Sequence, residues 1–139
     1  MSENEVRILF ISELKAHELP DKRRVKELEE DMRRRGILLK PIIVDRKTKI
    51  IIDGHCRCDA LRRVGCRKVA VRFVDYLSEK IAVEGWNGEK VNKKDVLEAG
   101  MSGVLMKPKT TRHIVRVGEK FLHISEIYGE APVSLSKLI

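Results

Sequence analysis

Apolar residues open the chain in alternation: Val6, Ile8 and Phe10 sit at every second position, the pattern of a strand. The stretch SELKAHELP (12–20) breaks that pattern and reads as a loop, and Pro20 and Asp21 suit the start of a helix. Val25, Leu28 and Met32 share one face of that helix, with Lys22, Arg23, Glu29 and Arg33 on its solvated side and Gly36 as its stop. Two apolar runs, PIIVD (41–45) and IIID (50–53), flank RKTK (46–49), the pattern of a hairpin.

The spacing then predicts a helix from about His55 to Val64 and a strand, VAVRFVDY, over 69–76. NKKDVLEAG (92–100) reads as a short helix capped by Asn92 and stopped by Gly100. SGVLMKPKTTRHIV (102–115) reads as a loop entering a strand, and the tail from Glu119 alternates too poorly to define an element. No internal repeat or low-complexity tract interrupts the series. The expected class is therefore α/β (α+β): a mixed sheet flanked by helices.

Length adds one constraint. A chain of 139 residues fits one domain over 1–139 with a real core. The opening MSENEVRILF is too short and polar for a signal peptide, and no apolar run reaches membrane-spanning length. Cys56, Cys58 and Cys66 are an odd set in a basic stretch, unlike a secreted disulfide framework. These features predict a cytoplasmic protein. Glutamine is absent and asparagine occurs only at Asn4, Asn87 and Asn92, a balance that leans towards a thermophilic source.

Charge narrows the partners. The chain carries a formal charge of +8, a surplus suited to nucleic acid, a nucleotide or an anionic metabolite. Bases concentrate in two segments, Arg57 to Arg72 and Lys107 to Lys120, which could converge on one anion.

The chemistry gathers at IIDGHCRCDALRRVG (51–65), where a strand turns through Gly54 into a helix. Backbone N–H groups at a helix start favour phosphate or carboxylate, and Gly54 lets the anion approach the backbone closely. Arg57 suits bidentate phosphate binding, and His55 adds a donor or proton carrier. Asp53 is the misfit: it either caps the helix, or binds a metal or orients a hydroxyl. Cys56, Ala60 and Val64 fall on one helical stripe, so Cys56 is expected to pack inward and Cys58 to face roughly the other way. The cysteine spacing does not suit zinc.

A second cluster, KPKTTRH (107–113), is either an anion grip or an ordinary basic loop. Glu18 reads as a solvated loop acid, and Trp86 as core or lid packing. The glycine-rich nucleotide motifs are missing, so a nucleotide site here needs another architecture.

Taken in order, ISELKAHE (11–18), RRRGILLKPIIVDRKTKIIIDGHCR (33–57) and CDALRRVGCRKVAVRFVDY (58–76) resemble the ParB/sulfiredoxin superfamily. Within it, the DGH-x-R junction and AGMSGVLMKPKTTRH (99–113) most resemble archaeal free serine kinases. The resemblance implies a core over 5–76, with 77–139 completing the site. It implies phosphoryl transfer from a nucleotide, ADP ahead of ATP, to the hydroxyl of free L-serine, with Mg2+ as cofactor. Glu18 matches the catalytic acid that takes the hydroxyl proton, and Asp53 the acid supporting the hydroxyl or the magnesium. Gly54, His55, Cys56 and Arg57 match the phosphate-binding turn; Lys109, Thr110, Thr111 and Arg112 match the second phosphate loop. Thr111 and His113, with Trp86, match the serine-binding groups. The family turn is usually Gly-His-His-Arg, and Cys56 departs from it.

Sulfiredoxin chemistry needs Gly-Cys-His-Arg, and a shift of one residue on a helix turns a side chain by about 100°. The rival of another class is a ParB-like, nucleotide-binding, DNA-associated partition or regulatory module without kinase activity. The positive charge suits it; the short chain leaves little room for a helix-turn-helix reader, and KPKTTRH has no role in it.

Overall fold

Continuous apolar runs become strands buried on both faces, as sheets sandwiched between layers require. The computed structural model describes residues 5–86 and 88–139. Asn4, with the rest of the first four residues of the expected 1–139 domain, and Asn87 lie outside the described residues. The central sheet has the order β1 (Val6–Phe10), β5 (Lys68–Val74), β3 (Ile42–Asp45), β4 (Ile51–Asp53). β1 runs antiparallel to β5, β5 parallel to β3, and β3 antiparallel to β4, so the sheet is mixed.

Alternate residues of this sheet serve two cores. Ile42, Val44 and Ile51 pack on one face with helices α1 (Lys22–Arg35) and α2 (His55–Arg63). Ile43, Ile50 and Ile52 pack on the other with Ile81, Val96, Val115 and Ile124. Those last four come from β6 (Ile81–Gly85), α3 (Lys93–Ser102), β7 (Thr111–Val117) and α4 (Ile124–Tyr128). β6 and β7 form an antiparallel sheet with β8 (Lys120–His123). Residues after Tyr76 therefore build the second core jointly with the first sheet.

The expected hairpin is present, and buried Asp45 ties its turn. Its Oδ2 accepts from Thr48 N at 3.1 Å and Thr48 Oγ1 at 2.6 Å, while Oδ1 accepts from Tyr76 N at 3.1 Å. α1 starts at an Asp21 cap and ends at Gly36 in the left-handed region, as its sequence predicts.

Two expectations are corrected. The helix expected over 92–100 runs to Ser102 and is closed by Gly103, not Gly100. Gly100 lies inside it, where a Cβ would stand 2.5 Å from Ile50 Cδ1; the glycine permits close packing rather than a turn. On α2 the buried residues are Cys58, Ala60 and Leu61, so Cys58 faces the core while Cys56 is half-buried. The expected stripe of Cys56, Ala60 and Val64 does pack on this core, and Cys58 and Leu61 join it because the helix packs against α1 as well as the sheet.

The tail also takes a definite path. β9 (Val133–Ser134) pairs with β2 (Ile37–Leu38), and the buried Leu138 accepts from Arg67 N and Lys68 N at 3.0 and 2.9 Å. Its contacts are with distant backbone, which local alternation does not encode.

Candidate functional site

The loop holding Glu18 is extended and gripped from both sides. Lys15 bridges to the hairpin, donating to Lys49 O and accepting from Ile51 N. His17 O accepts from Met106 N at 2.9 Å, and Leu19 N donates to Met106 O at 2.8 Å. Glu18 is thereby fixed between the two sheets and reaches the start of β7. Its Oε1 accepts from Thr110 N (3.1 Å), Thr111 N (2.8 Å) and Thr111 Oγ1 (2.8 Å). Burial pushes the Glu18 carboxyl above its ordinary value, against the lowering effect of these donors.

Gly54 makes the turn into α2 with φ of 117°, open to glycine and strained for other residues. A Cβ there would stand 3.0 Å from both Arg57 Nη2 and Ile42 Cγ1. Gly54 itself is the N-cap and no side chain caps the helix, so Asp53 is not a cap. Asp53 Oδ2 instead faces Arg57 Nη2 at 3.4 Å, and that nitrogen also donates to Pro41 O at 3.2 Å. Arg57 Nε is buried without a hydrogen-bond partner among the described residues.

Glu18, the Gly54 turn, Arg57, Trp86, Lys109 and Thr111 line one cavity of about 270 Å³. A neighbouring cavity of about 570 Å³ shares Arg24, Leu28, Asp53, Arg57 and His123 with it, and adds Arg34, Arg35 and Lys40. Lys109 closes one wall through an ion pair to Asp21 at 3.1 Å. Trp86 forms another wall; it is half-exposed and its Nε1 donates to Thr111 O at 3.0 Å.

Three imidazoles meet edge to face at this cavity, with His55 and His113 lining it. His17 lies edge-on to His55, with ring centroids 4.5 Å apart, and to His113 at 5.7 Å. His55 Nε2 accepts from His17 N at 3.1 Å, so a neutral His55 carries its proton on Nδ1. His113 Nε2 pairs with Tyr76 Oη at 2.9 Å. Burial holds His55 and His113 well below the usual imidazole value, reinforced in each by the charge of His17, and burial lowers His17 to about 4 against the raising effects of Ile51 O and Asp53.

Strand alternation separates the members of TTRH. Thr111 and His113 face the cavity, whereas Arg112 lies on the opposite face of β7. It pairs there with Glu84 at 3.5 Å, and its guanidinium covers the Trp86 ring at 5.4 Å. Thr110 contributes its backbone N–H to Glu18, while its hydroxyl donates to Lys107 O at 2.6 Å. Cys56 lines the cavity as a protonated thiol, raised by burial, with Sγ 3.8 Å from Asp21 O. Sequence reasoning missed His17, whose one signal was adjacency to Glu18.

Among the described residues, no group of three or more His, Cys, Asp or Glu side chains is arranged to hold a metal ion. Asp53 offers a lone carboxylate already facing Arg57. A magnesium site usually combines one or two carboxylates with substrate phosphates, so Asp53 would supply the protein's ligand and the phosphates of a bound nucleotide the others.

No protein-family model matches the chain. Over 47 residues, 34% of this chain and 24% of the relative, it is 43% identical to a ParB-like protein of Sulfolobus acidocaldarius. Over 83 residues, 57% of this chain and 33% of the relative, it is 31% identical to an ATP-dependent L-serine kinase of Staphylothermus marinus. The matches thus span about a quarter to a third of these curated relatives. Among solved structures, a free serine kinase in complex with AMP superposes with a TM-score of 0.79 at 14% identity, over 97% of this chain and 94% of that one. A conserved hypothetical protein from Pyrococcus furiosus superposes with a TM-score of 0.81 at 17% identity, over 97% of both chains. The chain has a mixed α/β fold. Its particular form is that of the free serine kinase structure.

Proposed function

We propose that this protein is a small-molecule kinase that transfers a phosphoryl group from an adenine nucleotide to the hydroxyl of free L-serine, giving O-phospho-L-serine. One observation carries the reading. A carboxylate anchored through a single oxygen, Glu18 Oε1, shares a small cavity with the uncapped start of α2. Phosphoryl transfer needs mainly positioning and charge neutralisation, plus a group to take one proton.

The division of labour follows. N–H groups at the start of α2 and the Arg57 guanidinium hold the transferred phosphate. Glu18 takes the proton of the acceptor hydroxyl as oxygen attacks phosphorus. Asp53 holds Arg57 at the mouth of the turn. Thr111, His113 and Trp86 bound a space suited to a small amino acid, and the neighbouring cavity, with Arg24, Arg34, Arg35 and Lys40, suits the rest of a nucleotide. Mg2+ arriving on the nucleotide would bring most of its own ligands. The named relatives support the class: one is called an ATP-dependent L-serine kinase, and the solved kinase holds AMP. The donor is the open choice, with ADP our first expectation.

The test is phosphorus NMR after incubation with Mg2+, L-serine and ADP or ATP in separate tubes, beside Glu18→Gln. A phosphoserine signal falling by about 10²–10⁴-fold in the variant is expected. Absence of phosphoserine with both donors overturns the reading. Salt-sensitive duplex binding would then favour the DNA-associated alternative, to which the ParB-like relative points.

A further inference from the structure

Thr111 has one hydroxyl proton and two neighbours that compete for it. Its Oγ1 lies 2.8 Å from Glu18 Oε1 and 3.0 Å from His17 Nε2. His17 Nδ1 lies 2.6 Å from Ile51 O, a carbonyl that can only accept, so Nδ1 carries a proton. If His17 is neutral, its Nε2 must accept, and the Thr111 proton points to His17. The Glu18–Thr111 contact then needs its proton from the carboxyl. If Glu18 is ionised and takes the Thr111 proton, His17 Nε2 needs a proton of its own to complete the chain. The two fully bonded arrangements hold the same number of protons and differ only in their positions.

We propose that Glu18 and His17 form one proton-sharing unit bridged by the Thr111 hydroxyl, with His17 acting through Thr111 as a positioning residue for the base. This inference rests on the kinase reading. In the reaction the acceptor O–H bond breaks and an O–P bond forms, while the bond from phosphorus to the departing nucleotide oxygen breaks with its electron pair. The proton lands on Glu18. It stays there, and the Thr111 hydroxyl turns its own proton from Glu18 Oε1 to Nε2 of neutral His17, whose Nδ1–H stays on Ile51 O. After product leaves, the proton returns through Glu18 to water.

The surroundings suit such sharing. Water is excluded from His17, which has 0% exposure. Facing groups are few: His55 and His113 meet its ring edge to face, Asp53 adds a favourable charge, and the Thr110 and Thr111 N–H groups meet Glu18. Burial raises the carboxyl and lowers His17 to about 4, so at neutral pH the imidazole stays neutral and its Nε2 is free to accept the Thr111 proton.

The experiment is a pH titration of protein carrying nitrogen-15 histidine, following the four histidines with the Glu18 carboxyl carbon labelled. The His17 Nε2 resonance is expected to shift in step with Glu18 protonation, and to lose that step in Glu18→Gln. Thr111→Val should uncouple the two and Thr111→Ser should restore the coupling. A purely structural Thr111 would leave the step in place in Thr111→Val. The wild-type and Glu18→Gln arms need no change at Thr111, so a poorly folding variant leaves the test intact. A silent Nε2 in wild-type protein that makes phosphoserine overturns the relay and leaves the kinase standing. A responsive Nε2 with no phosphoserine upholds the shared proton and overturns its role in that reaction.

Discussion

Two helix starts in this protein solve the same problem in opposite ways. α3 begins at Asn92, whose Oδ1 accepts from Asp95 N at 2.9 Å while Asp95 Oδ2 accepts from Asn92 N at 3.2 Å. The reciprocal box satisfies two orphan donors on an exposed surface. α2 begins at Gly54 with no side-chain cap, opening into a cavity shared with Glu18 and Arg57. A closed start contributes stability and nothing else. An open start keeps its donors and its positive end available for an anion.

Closing the open start should have the largest effect. Gly54→Ala places a methyl group 3.0 Å from Arg57 Nη2 and Ile42 Cγ1 at a φ of 117°. We expect kcat/KM for phosphoserine formation to fall by about 100-fold, as displaced phosphate-binding groups do elsewhere. The strained backbone should also remove about 1–3 kcal/mol of stability. Steady-state kinetics beside thermal melts separate the two, since loss of fold alone would vanish below the melting transition. Opening the closed start should do less. Asn92→Ala should cost about 1 kcal/mol and leave nucleotide affinity unchanged. Calorimetric titration with ADP checks this, and weakened binding in Asn92→Ala would break the contrast.

The same contrast marks what was legible in the chain. The α1 cap at Asp21 and stop at Gly36, the hairpin, and the α3 cap at Asn92 are local signals, and each appears where the sequence puts it. Asp53 stayed ambiguous because capping and non-capping acids look alike beside a glycine; only the Asp53–Arg57 geometry decides. Cys58 joins Cys56 on the core side because α2 answers to α1 as well as to the sheet. Arg112 was grouped with Thr111 on proximity, but a strand turns adjacent residues to opposite faces. His17 was beyond sequence reasoning for a deeper reason. Its partners, Ile51, His55, Thr111 and His113, are 34 to 96 positions away, so tertiary packing alone reveals its burial.

Cys56 gives the smallest expected effect and the finest test of the open start. It occupies the position where the resembling kinases usually carry a second histidine, in the first turn of α2. Its thiol stays protonated at neutral pH because burial raises it, so it brings no charge to the phosphate. Its polar contact, Sγ to Asp21 O at 3.8 Å, is long and weak. On this account the backbone N–H of Cys56 serves the anion and its side chain is filler between α1 and α2. Cys56→Ala should therefore keep kcat/KM within about threefold and change stability by about 1 kcal/mol or less. Cys56→His sharpens the point. If the open N–H groups do the binding, adding the imidazole should change nucleotide affinity little. A tenfold or greater gain in kcat for Cys56→His would instead mean that a side chain at this position takes part in transfer, and that this chain works without it.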